Sequence, residues 1–193
     1  MLLSPSGRLS KVQQNVLARV SAALQADKGL EQTYLTMLRK ERTVSLRTID
    51  WLVTNYSKRI ALRIVSRGRP VFVHDAYRTA LAAYRRRNFD PFCRGTREVP
   101  GGHRCGYVTV QTREGKTYTS SVAQLNFFEW AHRHGVLDYA REFAAAIVED
   151  MNAASARQRA RRRQDRSGRR MELSAPPRSM CQAYLVHTSI EVT

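Results

Sequence analysis

Two small sets of residues have the types that catalysis or metal binding uses. Cys93, His103 and Cys105 have soft-ligand character, and His103 and Cys105 form a short His-X-Cys pair. Zinc usually takes four ligands in paired short spacings. One short pair exists here, and a fourth ligand has to come from His74 or His132 elsewhere in the chain. Two ordinary cysteines in a glycine-rich loop is the simpler reading, so no metal or other cofactor is expected. His132 and His134 flank Arg133 just before Gly135. Histidines at a helix end interact with the negative end of its dipole, and that role is expected of both in place of general-base chemistry. Asp90, Glu129 and Asp138 are scattered and make no carboxylate pair. No glycine-rich phosphate loop, GxSxG or HExxH motif occurs. The expectation is a protein that is not an enzyme.

A third set, the arginines, is far larger. The chain has 33 Lys+Arg against 16 Asp+Glu, a net charge of +17, and most of its cations are arginine. Guanidinium forks match phosphate oxygens better than ammonium groups do. An excess of this size attracts polyanions. Nucleic acid is the first partner to consider, an anionic membrane surface the second.

The charge falls in three clusters. Residues 39–69 hold nine Lys/Arg and two acids, residues 78–104 seven Arg and two acids, and residues 157–170 eight Arg and one acid. A tail alone would suggest a tether. Cations on helix ends, hairpin turns and a tail suggest several contacts to one polyanion. The residues expected to contact phosphate are Arg85, Arg86 and Arg87, with Arg157, Arg159, Arg161, Arg162, Arg163, Arg166, Arg169 and Arg170. Such contacts give affinity without reading sequence. The competing reading is an over-charged solvated surface.

The odd cysteine count in a chain of 193 residues points to a reducing compartment. The opening MLLSPSGRLSK lacks the apolar stretch of a signal peptide. No window approaches 18 apolar residues, so no spanning helix is expected.

Periodicity supplies the elements that must position these residues. Ser10 caps a helix to about Asp27, with Val12, Val16, Leu17, Val20, Ala23 and Leu24 on one face and Gly29 as its stop. A second short helix runs from Leu30 to Leu38, and a third starts near Ser45 or Thr48. Ile60–Val65 and Val71–Val73 read as a hairpin around Gly68 and Pro70. Asp75 caps a helix ending at Arg85–Asn88. Phe89–Gly106 reads as an irregular loop that packs on the core through Phe89 and Phe92. A second hairpin pairs Tyr107–Thr112 with Lys116–Ser120.

The densest apolar pattern lies between Thr117 and Asn152. Ser120 or Ser121 caps a helix whose Val122, Leu125, Phe127, Phe128, Trp130 and Ala131 cover most of its circumference, so it is buried on more than one side. Trp51 is also expected to pack on it. Gly135 breaks it, and Asp138 caps a helix with the stripe Ala140, Phe143, Ala144, Ile147, Val148 and Met151. The tight bend echoes a DNA-reading helix-turn-helix. Arg141 falls where that motif has an apolar residue, however, and the first helix is too aromatic to lie across a DNA backbone. An antiparallel helix pair is preferred.

The fold class expected is α+β: mostly helical, with two short β-hairpins, an N-terminal helical hairpin (1–44), a core domain (45–155) and an Arg-rich tail (156–193). The run 157–170 is either a solvated continuation of the helix or disordered, and Ala183–Val192 is a candidate terminal strand.

Four runs carry a resemblance: IDWLVTNYSKR (49–59), YRTALAAYRRRNFDPFCR (77–94), VAQLNFFEWAHRHGVLDYA (122–140) and IVEDMN (147–152). In that order, followed by an Arg-rich run and a β-like C-terminus, they resemble a family of small basic proteins of nucleocytoplasmic large DNA viruses that infect protists and algae. FDPFCR and QLNFFEWA are its specific parts. The similarity covers roughly 45–193 and leaves out the first 44 residues; the loop 96–105 is longer and more glycine-rich than the family pattern. The family has no defined activity, so no catalytic residue is carried over. The resemblance implies a viral protein acting on viral DNA or in the virion, in the host nucleus or a cytoplasmic viral factory. Its partners would be DNA or other virion proteins. The function expected is genome association or packaging; the alternative is a minor capsid or core structural protein.

Overall fold

The computed structural model describes residues 1–39, 44–66, 68–92, 98–99, 102–103 and 106–170, with backbone alone at 98–99, 102–103 and 165–170. The protein is mostly helical α+β. It divides into two compact units, Met1–Asn152 and Ala153–Thr193.

The chain opens with a strand, β1 (Leu2–Pro5), followed by α1 (Lys11–Ala26) and α2 (Lys28–Leu38). Ser10 and Gln13 close a capping box at the start of α1. Gly29, expected as a stop, instead lies in the first turn of α2. Asp27 ends α1 and at once starts α2, its carboxylate accepting the Leu30 N–H at 3.0 Å. That single side chain removes the need for a glycine break. α1 and α2 are the two helices of the expected N-terminal helical hairpin. Both helices lie in the first unit, and Val16, Val20, Leu24, Leu30, Tyr34 and Met37 belong to its core.

Ser45 caps α3 (Leu46–Trp51), which loosens into a π-helical turn over Leu52–Tyr56 and ends in the short α4 (Ser57–Arg59). Next come β2 (Arg63–Ser66) and β3 (Arg69–Phe72), an antiparallel hairpin with Gly68 at φ +75° in its turn. Its left-handed backbone is what such a tight turn requires. Helix α5 (Val73–Tyr84) begins two residues before Asp75, which sits in its first turn and not at its cap. Arg85 then takes φ +61°, and Arg86–Asn88 form one 3₁₀ turn.

The loop after that turn is not wholly irregular: β4 (Glu98–Val99) pairs with β5 (Gly102–His103). Strands β6 (Tyr107–Gln111) and β7 (Thr117–Ser121) form the second expected hairpin. β1 adds to it across more than 100 residues, giving the antiparallel order β1-β6-β7.

Helix α6 (Val122–Arg133) is the centre. Every residue from Val122 to Ala131 is buried. Ser121 caps it by accepting the Gln124 N–H. Phe89 is buried against it, with ring centroids 5.3 Å from Phe127 and 5.5 Å from Trp130. Tyr77 and Tyr84 complete that aromatic cluster. Tyr34 meets Phe128 edge-on from the other side. Phe92 is half-buried. Trp51 is half-buried too, its indole N–H donating to Asp150 at 2.9 Å.

Gly135, at φ +68°, starts α7 (Val136–Glu142). The expected single helix is two. Asp138 lies inside α7 and pairs with Arg141, and the chain breaks at Phe143 before α8 (Ala144–Arg170). The break divides the apolar stripe: Ala140 and Ile147 are buried, while Phe143 and Val148 are exposed. The Arg-rich run 157–170 is helical. The candidate strand Ala183–Val192 lies outside the described residues. Among those residues, no helix is long and apolar enough to cross a membrane.

Phe89→Ala removes the ring shared by four aromatic neighbours and should cost about 3–5 kcal/mol in urea unfolding. Asp27 titrates below the usual carboxylate range, first through the Leu30 N–H and further through His132. Its contribution is therefore present above the unfolded-state value and lost as pH falls through the lowered one. Asp27→Asn, which keeps a cap, should flatten the acid limb of a stability-versus-pH curve.

Candidate nucleic-acid interface

The sequence-predicted arginines are placed in two groups, one in each unit. Arg85, Arg86 and Arg87 are exposed on the turn after α5. The next two residues are deeply held: Asn88 and Phe89 are 3% and 1% exposed. The Asn88 carbonyl accepts Asn126 Nδ2 of α6 at 2.8 Å. The backbone under the three guanidinium groups is thus pinned to the most buried helix, while their side chains stay in water. Among the described residues, no carboxylate pairs with any of the three.

In the second unit, Arg157, Arg159, Arg161, Arg162 and Arg163 are all exposed on α8. Arg166, Arg169 and Arg170 continue the same helix, with backbone alone described. A helical stretch that is polar on every side has no apolar stripe to bury, and between Arg157 and Arg163 α8 displays its cations all round.

Other arginines are committed elsewhere. Arg19 donates to Glu129 at 2.6 Å and to Asn126 Oδ1, and its guanidinium lies 5.8 Å from the Tyr84 ring centroid. Arg39 pairs with Glu114, Arg59 with Asp150 and Arg113 with Glu31. Two of the nine cations in cluster 39–69, Arg39 and Arg59, are therefore already paired.

A further basic surface was not singled out from sequence. An open depression of about 450 Å³ is lined by Ser66, Arg69, Val71, Arg133 and His134. Ser66 Oγ donates to the Arg133 carbonyl at 2.8 Å, which holds the β2–β3 hairpin on the C-terminal end of α6. Arg69 follows the turn glycine, and Arg133 makes only a long 3.7 Å pair with Glu129. The basic turn SRGRP was a visible signal. The fold hid the site, because only the fold brings residues 66–71 to residues 133–134.

The histidines take helix-end positions. His132 Nε2 lies 3.1 Å from Asp27 Oδ2. His134 Nδ1 faces the Trp130 carbonyl oxygen at 2.8 Å, and His74 Nδ1 faces that of Val53 at 3.3 Å. Both residues considered as a fourth zinc ligand, His74 and His132, thus have other contacts. Cys93 and Cys105 lie outside the described residues, as does the His103 side chain. Among the described residues, no three His, Cys, Asp or Glu side chains gather as a metal site.

A family model described as a family of unknown function, DUF7197, matches residues 6–176. The match includes α1 and α2, which the resemblance drawn from sequence left out. The uncharacterized protein L507 of Acanthamoeba polyphaga mimivirus is 30% identical over 139 residues, covering 70% of this chain and 52% of that protein. The chain thus spans about half the length of this curated relative. No solved structure matches.

The two cations on Glu129 should differ sharply in energy. The Glu129 side chain is 8% exposed, and Arg19 is its close partner. Arg19→Ala leaves that carboxylate without its close cation and should cost about 3 kcal/mol. Arg133→Ala should cost less than about 1 kcal/mol, since that pair is long at 3.7 Å. Urea denaturation of the two variants checks this, and equal costs would contradict the assignment.

Proposed function

This chain belongs to the DUF7197 family of unknown function, and from that premise we propose that it is a non-enzymatic, genome-associated nucleic-acid-binding protein of a large DNA virus. It acts on DNA through phosphate contacts that do not read sequence. Its place is with the viral genome, in the virion or in the nucleus or cytoplasmic factory where that genome is handled. The observation that carries this reading is the separation of the arginines into two classes. One class is tied to carboxylates and aromatic rings. The other, which includes Arg85–Arg87 and Arg157, Arg159, Arg161, Arg162 and Arg163 of α8, is exposed and has no carboxylate partner among the described residues. Arg85–Arg87 have the further property of a rigid base. Their turn is held by Asn88 and Phe89, so little conformational freedom of the backbone is lost when phosphate binds.

The mimivirus relative supports the viral setting. The alternative, a minor capsid or core structural protein, would use the same cations on acidic proteins.

Binding to a short duplex, followed by fluorescence anisotropy across a salt series, tests the reading. Each neutralised phosphate contributes about −0.9 to the slope of log K against log salt. The triple variant R85A/R86A/R87A should lose about 2.7 units of slope, with little change in thermal midpoint. A full chain that ignores DNA yet binds an acidic polypeptide with a steep slope would replace this reading with the structural one.

A further inference from the structure

The phosphate-binding arginines leave unexplained one element of the first unit, the β2–β3 hairpin. Its register pairs Arg63 with Phe72 and Val65 with Pro70, so these four side chains share one face. All four are exposed, Val65 to 71% and Phe72 to 42%. The opposite face does the packing. Ile64, Ser66 and Val71 are half-buried, Ser66 bonds to the end of α6, and Ile64 Cγ2 lies 3.3 Å from where a Cβ on Gly135 would stand. The outward apolar residues therefore have no structural task in the fold. One cation shares their face: Arg63 lies over the Phe72 ring at 4.4 Å, while Arg69, paired with Ser66, belongs to the opposite face beside the turn.

Resting on the nucleic-acid reading above, we propose that this hairpin enters a groove of duplex DNA. Its outward face meets base edges, while Arg69 and Arg133 take a backbone phosphate at the depression behind it. Two strands about 4.8 Å apart form a ribbon that the roughly 12 Å major groove admits. Apolar side chains there contact thymine methyl groups, and a pre-ordered guanidinium suits guanine. The hairpin supplies what backbone contacts cannot, a surface for base edges. α5 links it directly to the Arg85–Arg87 turn. The helix's 12 residues span about 18 Å, roughly five base pairs. Arg78, exposed between them, lies on the same helix. The groove-entering ribbon and the phosphate-binding turn thus stand at the two ends of one short rigid rod.

A second copy of the chain is the less suitable occupant. A two-fold contact through this face would bring Arg63 towards its own copy with no acid on the face to offset it. A duplex presents the complementary charge at the same place.

The test uses the full chain, a duplex of about 20 base pairs and one of its strands, with anisotropy at several salt concentrations. Val65→Asp places a carboxylate on the outward face and should weaken duplex binding at least tenfold. Arg69→Gln should reduce the salt slope by about one unit. Both positions are exposed, so thermal midpoints should stay near that of the parent chain. If Val65→Asp fails to fold, Val65→Thr keeps strand propensity and should still weaken duplex binding about threefold. Suppose the parent binds steeply, R85A/R86A/R87A is impaired, and the hairpin variants match the parent. The hairpin proposal is then overturned and the phosphate-binding reading stands. If the parent binds no nucleic acid, both fall. If the single strand binds as tightly as the duplex and the hairpin variants weaken both equally, groove entry is overturned.

Discussion

A helix buried on every side has to satisfy its own polar side chains, and α6 meets that demand by reaching into the segments around it. Gln124 accepts from Ser120 and donates to the Pro91 carbonyl. Asn126 accepts from Arg19 and donates to the Asn88 carbonyl. Glu129 takes Arg19, with Arg133 at longer range. Apolar surface is tolerant of sliding, whereas a buried amide or carboxylate is costly unless its partner is in place. These three residues therefore fix the register of α1, the Arg85–Arg87 turn and the loop after it against one helix. The aromatic ring of Phe89 then fills the space that this register defines.

The same network governs the charge. Some of the 33 Lys+Arg are neutralised by acids inside the fold, which leaves the net +17 unchanged. Arg19 serves a buried carboxylate, and Arg59 and Trp51 meet on Asp150 at the start of α8. The surface keeps the cationic remainder, and its placement is selective. Arg85–Arg87 are exposed because the residues on either side, Tyr84 and Asn88–Phe89, are turned inward. The left-handed backbone at Arg85 makes that reversal within one residue.

Much of this was legible in the sequence wherever the signal was local. The Ser10, Ser45 and Ser121 caps, the two hairpins and the enclosed aromatic helix come from capping chemistry, turn residues and periodicity. The features that were not legible depended on pairing across long separations. β1 has four residues, too few for a period to show, and its partner β6 lies more than 100 residues away. The depression beside the hairpin joins Arg69 to Arg133 for the same reason. Arg19 reads as one more surface cation until α6 is known to carry Glu129 opposite it. The break at Phe143 carries no glycine or proline, and the apolar stripe runs across it unchanged in sequence.

The two arginine groups differ in what holds them, and this bears on how each meets a polyanion. The turn at Arg85–Arg87 rests on buried neighbours and keeps its shape without a ligand. Residues 157–164 of α8 have no buried side chain. Helix pairs such as Arg157 with Arg161 and Arg159 with Arg163 set like charges one turn apart, each costing a few tenths of a kcal/mol. On the proposed reading, bound phosphate would remove that repulsion. Binding of a polyanion here would then be linked to helix stability, whereas at the turn the geometry is already set. The charge density on which the proposed binding rests is, in the second unit, also the term that opposes its own secondary structure.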